Sequence, residues 1–225
     1  MQQKVNATID FPLRGEWVSL RPLGHHPYAL DFMKVGKDKR HVSLRTLSWY
    51  LLSIIPAKNF YGFGDLIFSP VDGVVIRVSD GWKDREVTSF LNAIIIWFTA
   101  TFLFRPKING SEIDIRPNAG NYVMIKSATG LVAFLAHMRC GSVKVMTGQV
   151  ITAGQFVGEV GNSGNTTAPH LHINLFDQAD DLLHSKLVKF TFRRFDQWNG
   201  RSWEVVENSI PIEGALVRSH ADNGH

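Results

Sequence analysis

The sequence predicts a mainly β protein, an antiparallel sandwich or barrel with short helices and one apolar helical insertion. Three observations carry that expectation. From Gly141 to Gly161, glycine recurs at short intervals among β-branched residues, the pattern of short strands joined by tight turns. Two longer runs, Asn121 to Lys126 and Leu131 to Met138, are rich in strand formers and flank a turn at Thr129-Gly130. After Pro169, the run His170-Leu171-His172-Ile173-Asn174-Leu175-Phe176 reads as a further strand. With 225 residues, 44% of them apolar and 20% charged, the chain has a globular composition and the length for one domain with additions. We read an N-terminal extension over 1–23, a domain over 24–205 with an insertion at 83–118, and a tail over 206–225.

Taken in order, Val18-Ser19-Leu20 predicts a short strand. Pro27 restricts its neighbour and interrupts any ladder, so Gly24-His25-His26 sits on a turn and Tyr28 to Phe32 runs as strand. Asp31 lies between Leu30 and Phe32, where a carboxylate needs a partner if the strand is buried. Lys34 to Arg40 reads as a charged loop, and Leu44, Leu47, Tyr50-Leu51 and Ile54-Ile55 recur at helical spacing until Pro56. Residues 62–78 predict two strands meeting at a turn around Pro70 to Gly73. Phe190 to Phe195 predicts a last strand, and the polar end from Arg218 to His225 is expected to be mobile.

The segment from Val87 to Phe104 interrupts the strand series, and from Phe90 to Phe104 it carries no charge. As a helix, that uncharged run rises only about 22 Å, short of a ~30 Å hydrocarbon core, and both flanks return to one domain. It is therefore expected to be a helix packed on the β-core or on a partner surface. Membrane or self-association through this apolar insertion is the alternative use.

Chemistry concentrates around the histidines. Alternate side chains of a strand share a face, so His170 and His172 project together while Leu171 opposes them. The preceding Gly161-Asn162-Ser163-Gly164-Asn165-Thr166-Thr167-Ala168-Pro169 is a shaped polar loop delivering the chain into that strand. His137 closes another strand, and His26 and Asp31 stand near the start. A hydrolytic zinc site takes three protein ligands of imidazole and carboxylate type and keeps a position open. An isolated HxH triplet is as readily two structural histidines as a site, and it is the other groups that tip the balance. Cys140 is the one cysteine, which rules out an intramolecular disulfide and a thiolate cluster. Ser163 is not in a Gly-x-Ser-x-Gly elbow, which speaks against a serine hydrolase. The net charge of +4 and short basic runs such as Arg193-Arg194 give no nucleic-acid footprint. Met1 to Asp10 contains no apolar stretch of signal-peptide length.

At this point the chain resembles the lysostaphin-like zinc metallopeptidases, the LytM-type murein endopeptidases. The matching residues are Ala136-His137, Gly141-Ser142-Val143-Lys144-Val145, Gly148-Gln149-Val150, Gly154-Gln155-Phe156-Val157-Gly158, and Gly161-Asn162-Ser163-Gly164-Asn165-Thr166 leading to Pro169-His170-Leu171-His172. Ser69 to Val75 also looks like the family's entry into its central sheet, and the resemblance spans about residues 24 to 177. It implies a lysostaphin-type sandwich core, a Zn2+ cofactor, and hydrolysis of a peptide bond in peptidoglycan cross-links or a related peptide by zinc-bound water. His172 and Asp31 correspond to zinc ligands; His137 and His170 correspond to the non-ligand histidines that act on water and oxyanion. The first histidine ligand departs from the pattern, since Pro27 occupies the usual position four residues before Asp31. His26 is the expected ligand, because Pro27 can set a turn that returns its ring toward Asp31, and His25 is the alternative. The resemblance implies a cell-envelope or extracellular setting.

Two other classes compete. A lysostaphin-like fold without zinc would be a scaffold or regulator, and the irregular first motif keeps that reading alive. The glycine-spaced run also resembles biotinyl or lipoyl carrier strands, but those display a lysine on a hairpin, whereas Lys144 sits within a Val-Lys-Val alternation.

Overall fold

The computed structural model describes residues 7–21, 26–37, 54–98, 107–109, 112–178 and 184–220. The strands in chain order are β1 (Ala7–Ile9), β2 (Glu16–Leu20), β3 (Leu30–Lys34), β4 (Ile55–Pro56), β5 (Leu66–Phe68), β6 (Gly73–Ser79), β7 (Val87–Thr88), β8 (Lys107–Asn109), β9 (Glu112–Asp114), β10 (Asn121–Ser127), β11 (Val132–Met138), β12 (Val150–Ile151), β13 (Phe156–Glu159), β14 (Leu171–Phe176), β15 (Phe190–Trp198), β16 (Trp203–Ser209) and β17 (Leu216–Arg218). Two α-helices are described, α1 (Phe90–Phe98) and α2 (Arg116–Ala119). The protein is mainly β, as the sequence predicts.

One large sheet runs in the order β1-β15-β17-β2-β3-β14-β11-β10-β6-β12, with β16 on β15. Its centre, from β3 through β14 and β11 to β10, is antiparallel. Strand alternation divides the side chains of this centre between two faces. Val123, Ile125, Ala133, Leu135, Leu171 and Ile173 enter the main core, to which the paired strands β5 and β13 contribute Ile67 and Val157. Tyr122, Met124, Phe134 and Ala136 point the other way and build a smaller cluster with Ala119. The β5–β13 ribbon thus forms a second layer on one face, which leaves the opposite face of β3, β14 and β11 for chemistry.

Several local expectations change in the folded chain. The two strands that meet at the turn around Pro70 are present, and each pairs elsewhere. β5 pairs with β13, and β6 pairs with β10 and β12, because each apolar face finds its complement far along the chain. The stretches read as N-terminal extension and tail contribute β1, β2, β17 and the later part of β16 to the large sheet. Of the expected mobile end, Arg218 and His220 are held by the Asp196 carboxylate. The apolar insertion forms a helix over Phe90–Phe98, as expected. Of its described side chains, Leu91, Ile94, Ile95 and Phe98 are exposed. Among the described residues no helix is long and apolar enough to cross a membrane. The helical spacing from 44 to 55 falls largely outside the described residues.

Asp196, on β15, is 5% exposed and accepts hydrogen bonds from Arg218 Nε (3.0 Å) and His220 Nδ1. Burial alone would raise its carboxyl pKa, but the hydrogen bonds from His220 and Arg218 outweigh burial and hold it below the ordinary range. A depressed folded-state pKa means stability that is present above the unfolded value of about 4 and lost as pH falls through the folded value. Asp196→Asn is therefore expected to cost about 1 kcal/mol near neutrality, with the difference closing as pH drops below about 4. Urea denaturation across that range checks it, and a gap unchanged near pH ~3 would contradict the assignment.

Candidate active site

The site is built by register. In the antiparallel pairing of β14 with β3, His172 lies directly opposite Asp31, and His172 is also opposite Ala136 on β11. Directly opposed side chains meet on the same face. His172 Nδ1 is 2.8 Å from Asp31 Oδ1, and His170 Nε2 is 3.5 Å from Asp31 Oδ2. The sharing of one face by His170 and His172, read from their spacing, is thus expressed through a common carboxylate. Asp31 is 3% exposed.

His137 reaches the same face by a different route. Ala136 points away from the main core, so by alternation His137 would point into it. The pairing of β10 with β11 instead slips between Asn121↔Met138 and Val123↔Leu135, so that Ala136 and His137 both oppose Tyr122. This is a β-bulge, with His137 at a φ of 62°, in the left-handed region that non-glycine residues rarely occupy. The bulge turns the ring toward its partners. The His137 ring centroid lies 4.7 Å from that of His170 and 5.9 Å from that of His172.

Each ring is fixed through its Nδ1. His137 Nδ1 donates to the Ser163 carbonyl at 2.9 Å. His170 Nδ1 donates to the Ala168 carbonyl at 2.7 Å, with Thr166 Oγ1 at 3.0 Å. Both carbonyls belong to the polar loop, so the loop sets the tautomer and leaves Nε2 of each ring as a bare acceptor. His170 Nε2 is buried and makes no hydrogen bond. His172 differs, since both of its nitrogens face oxygens, Asp31 Oδ1 and, at 3.0 Å, Asn174 Oδ1. Phe134 packs its edge on His172, with Tyr122 and Phe176 beside it, which makes an aromatic floor.

The loop is seated on β10 and β11. Ser163 Oγ donates to the Met138 carbonyl at 2.7 Å and accepts from the Asn121 amide at 3.0 Å, and Asn121 Nδ2 donates to the same carbonyl at 2.9 Å. Gly120, at a φ of 62°, allows this contact, because a Cβ there would lie 2.3 Å from Ser163 Oγ.

Burial, then positive charge on His170 and His172, pushes the His137 imidazole well below its ordinary pKa. For His172 burial also acts downward, but the hydrogen bond to Asp31 and the Asp31 charge win and raise it.

Four of the five residues singled out in the sequence, Asp31, His137, His170 and His172, therefore come together. His26 is exposed, and its Nδ1 accepts a hydrogen bond from the Tyr28 amide at 3.2 Å. His25 lies outside the described residues. Among the described residues no group of three His, Cys, Asp or Glu is placed to hold a metal ion. Asn174 was legible but unread, since it continues the period-two face of His170 and His172. The loop carbonyls and Thr166 left no comparable signal.

Residues 109–182 match peptidase family M23, a stretch that contains His137, His170 and His172. The chain is 39% identical over 59 residues to the peptidoglycan DD-endopeptidase ShyA of Vibrio cholerae serotype O1, an alignment covering 26% of this chain and 13% of that protein. It is similar to the catalytic domain of a point mutant of the prophage-encoded M23 protein EnpA from Enterococcus faecalis, with a TM-score of 0.42 at 18% identity over 77% of this chain and 88% of that one. It is also similar to the catalytic domain of lysostaphin from Staphylococcus simulans, with a TM-score of 0.40 at 16% identity over 81% of this chain and 89% of that one. The resemblance to LytM-type peptidases read from the motifs is borne out by the M23 match.

In metal-free protein, NMR titration is expected to show His172 titrating above the usual ~6.5 and His137 well below it. The His172 contribution to stability is full below the unfolded pKa and lost as pH rises through the folded one, whereas the His137 shift costs stability as pH falls below its unfolded value. Asp31→Asn should bring the His172 titration down. An unmoved His172 in that variant would mean that Asp31 is not what raises it.

Proposed function

We propose that this chain, whose 109–182 stretch is that of a LytM-type M23 peptidase, is a zinc metalloendopeptidase acting on a peptide bond in peptidoglycan cross-links or a related peptide. The observation that carries the reading is the convergence of Asp31, His172, His170 and His137 on one buried face. What supports the metal is the chemistry of a buried carboxylate and imidazole, Asp31 and His172, facing each other at 2.8 Å. Asp31 and His172 would hold zinc, with His26 as the proposed third ligand and His25 as its alternative. Zinc bound there supplies Lewis acidity, which polarises a peptide carbonyl and brings the pKa of a water toward ~7.

The remaining work falls to this chain's own side chains. His170 and His137 each present a bare Nε2 whose orientation is fixed from behind by a loop carbonyl. Such a nitrogen accepts a proton from a nucleophilic water and returns it to the leaving amine. Keeping His137 neutral is what its depressed pKa achieves, since a protonated ring has no lone pair to offer. Burial of the face limits bulk water and strengthens each electrostatic contact. Tyr122, Phe134 and Phe176 pack together beneath His172 and back the reacting groups with apolar rings.

A second reading, a zinc-free scaffold or regulator, is favoured by the exposed placement of His26. Metal analysis separates the two. Protein purified without a histidine tag is expected to hold one zinc per chain, and Asp31→Ala should lose it with the fold kept. Stoichiometric zinc in Asp31→Ala would remove that ligand from the scheme. His137→Ala and His170→Ala should retain zinc while hydrolysis of peptidoglycan falls by roughly 10²-fold or more. Near-normal rates in both would place the proton transfer elsewhere.

A further inference from the structure

We infer that Asp84 is a positioning residue for His137, its carboxylate stapling together the two chain segments that carry His137 and its carbonyl partner Ser163. Asp84 stands outside the 109–182 stretch, in the segment that leaves β6 and continues through β7 into α1. Its Oδ2 accepts from the Cys140 amide at 2.9 Å, three residues beyond His137. Its Oδ1 accepts from the Asn162 amide at 2.7 Å, one residue before Ser163. One rigid side chain thus sets the separation between the end of β11 and the start of the polar loop.

The neighbouring contacts run in the same direction. Asp84 forms a bridge with Ser163, the Arg85 amide donates to the Asn162 carbonyl at 3.0 Å, and Asn162 Nδ2 donates back to the Arg85 carbonyl at 2.8 Å. Gly161 completes the fit, since a Cβ there would lie 2.4 Å from the Arg139 backbone and 2.6 Å from Asp84 Oδ1. The carboxylate occupies a space that only glycine leaves open. The Gly161 amide meanwhile donates to the His137 carbonyl at 2.9 Å. A left-handed histidine persists only where its surroundings over-determine it, and the staple adds to the Ser163 and Gly161 bonds that join both halves.

The consequence for turnover rests on the proposed hydrolase reading, but the consequence for the His137 ring does not. Long-range proton–nitrogen NMR of metal-free protein near neutral pH reports which ring nitrogen carries the proton. Wild type is expected to show His137 as a single Nδ1–H tautomer. In Asp84→Ala the staple is gone, and the His137 signals should broaden or split between tautomers. Asp84→Asn keeps an acceptor for only one of the two amides and should fall between. Asp80→Asn is the control, because Asp80 accepts from the Gly141 and Val143 amides on the same turn; it should leave the ring unchanged. Where the chain is active, Asp84→Ala should lower kcat about tenfold or more with KM little altered. If Asp84→Ala does not fold, Asp84→Asn carries the test. An unaltered His137 tautomer in the folded Asp84 variants, or an equal disturbance in Asp80→Asn, would overturn the inference. A chain that hydrolyses nothing while the ring responds as described would remove the hydrolase reading and leave the staple standing.

Discussion

The antiparallel register that sets His172 opposite Asp31 is the constraint on which the rest of the site depends. It is enforced from the other side of the sheet. Leu30 and Phe32 flank Asp31, Leu171 and Ile173 flank His172, and all four are buried in the main core at 1% exposure or less. A one-residue slip of either strand would exchange its apolar and polar faces, exposing large side chains and burying charge. At about 25 cal/mol per Å² of apolar surface, such a slip costs several kcal/mol. The hydrophobic core on one face thus specifies the polar geometry on the other, and the carboxylate and imidazole gain their pairing without relying on their own attraction.

Onto that pair the chain adds groups by departing from regularity. His137 enters through a bulge and an unfavourable backbone conformation, a local cost of about 1–3 kcal/mol. The polar loop meets it from the opposite direction, with Ser163 bonded to both β10 and β11. The same loop fixes His170 through Ala168 and Thr166. Two histidines from distant segments, His137 on β11 and His170 just before β14, are therefore oriented by one loop, which explains why the sequence invests so many glycines and hydroxyls there. Rigid strands hold Asp31 and His172, and a braced loop orients the proposed bases.

Legibility in the sequence followed the range of the interaction. His170 and His172 could be placed on one face because a strand's period of two is local, and Asp31 could be singled out because a carboxylate between Leu30 and Phe32 needs an explanation. The same period would have found Asn174. The bulge at His137 left no trace, since the left-handed position carries no glycine. The helix at Phe90–Phe98 was legible as a helix, but its exposure was not, because cover is a property of the whole fold. The strands on either side of Pro70 and the turn between them were legible, but not the distant partner that each one pairs with. The expectation for His26 came from resemblance and not from spacing, and it is the one candidate set apart from the cluster.

The central claim is that a strand-register pair, Asp31 with His172, is the seat of the metal. Anomalous diffraction at the zinc edge from crystals of the zinc-loaded chain tests it most directly. The account predicts one strong anomalous peak within coordinating distance of both Asp31 Oδ1 and His172 Nδ1, with a histidine from the segment before Asp31 completing the set. A crystal grown with excess zinc that shows no peak on that face, or a peak whose ligands exclude Asp31, would contradict it.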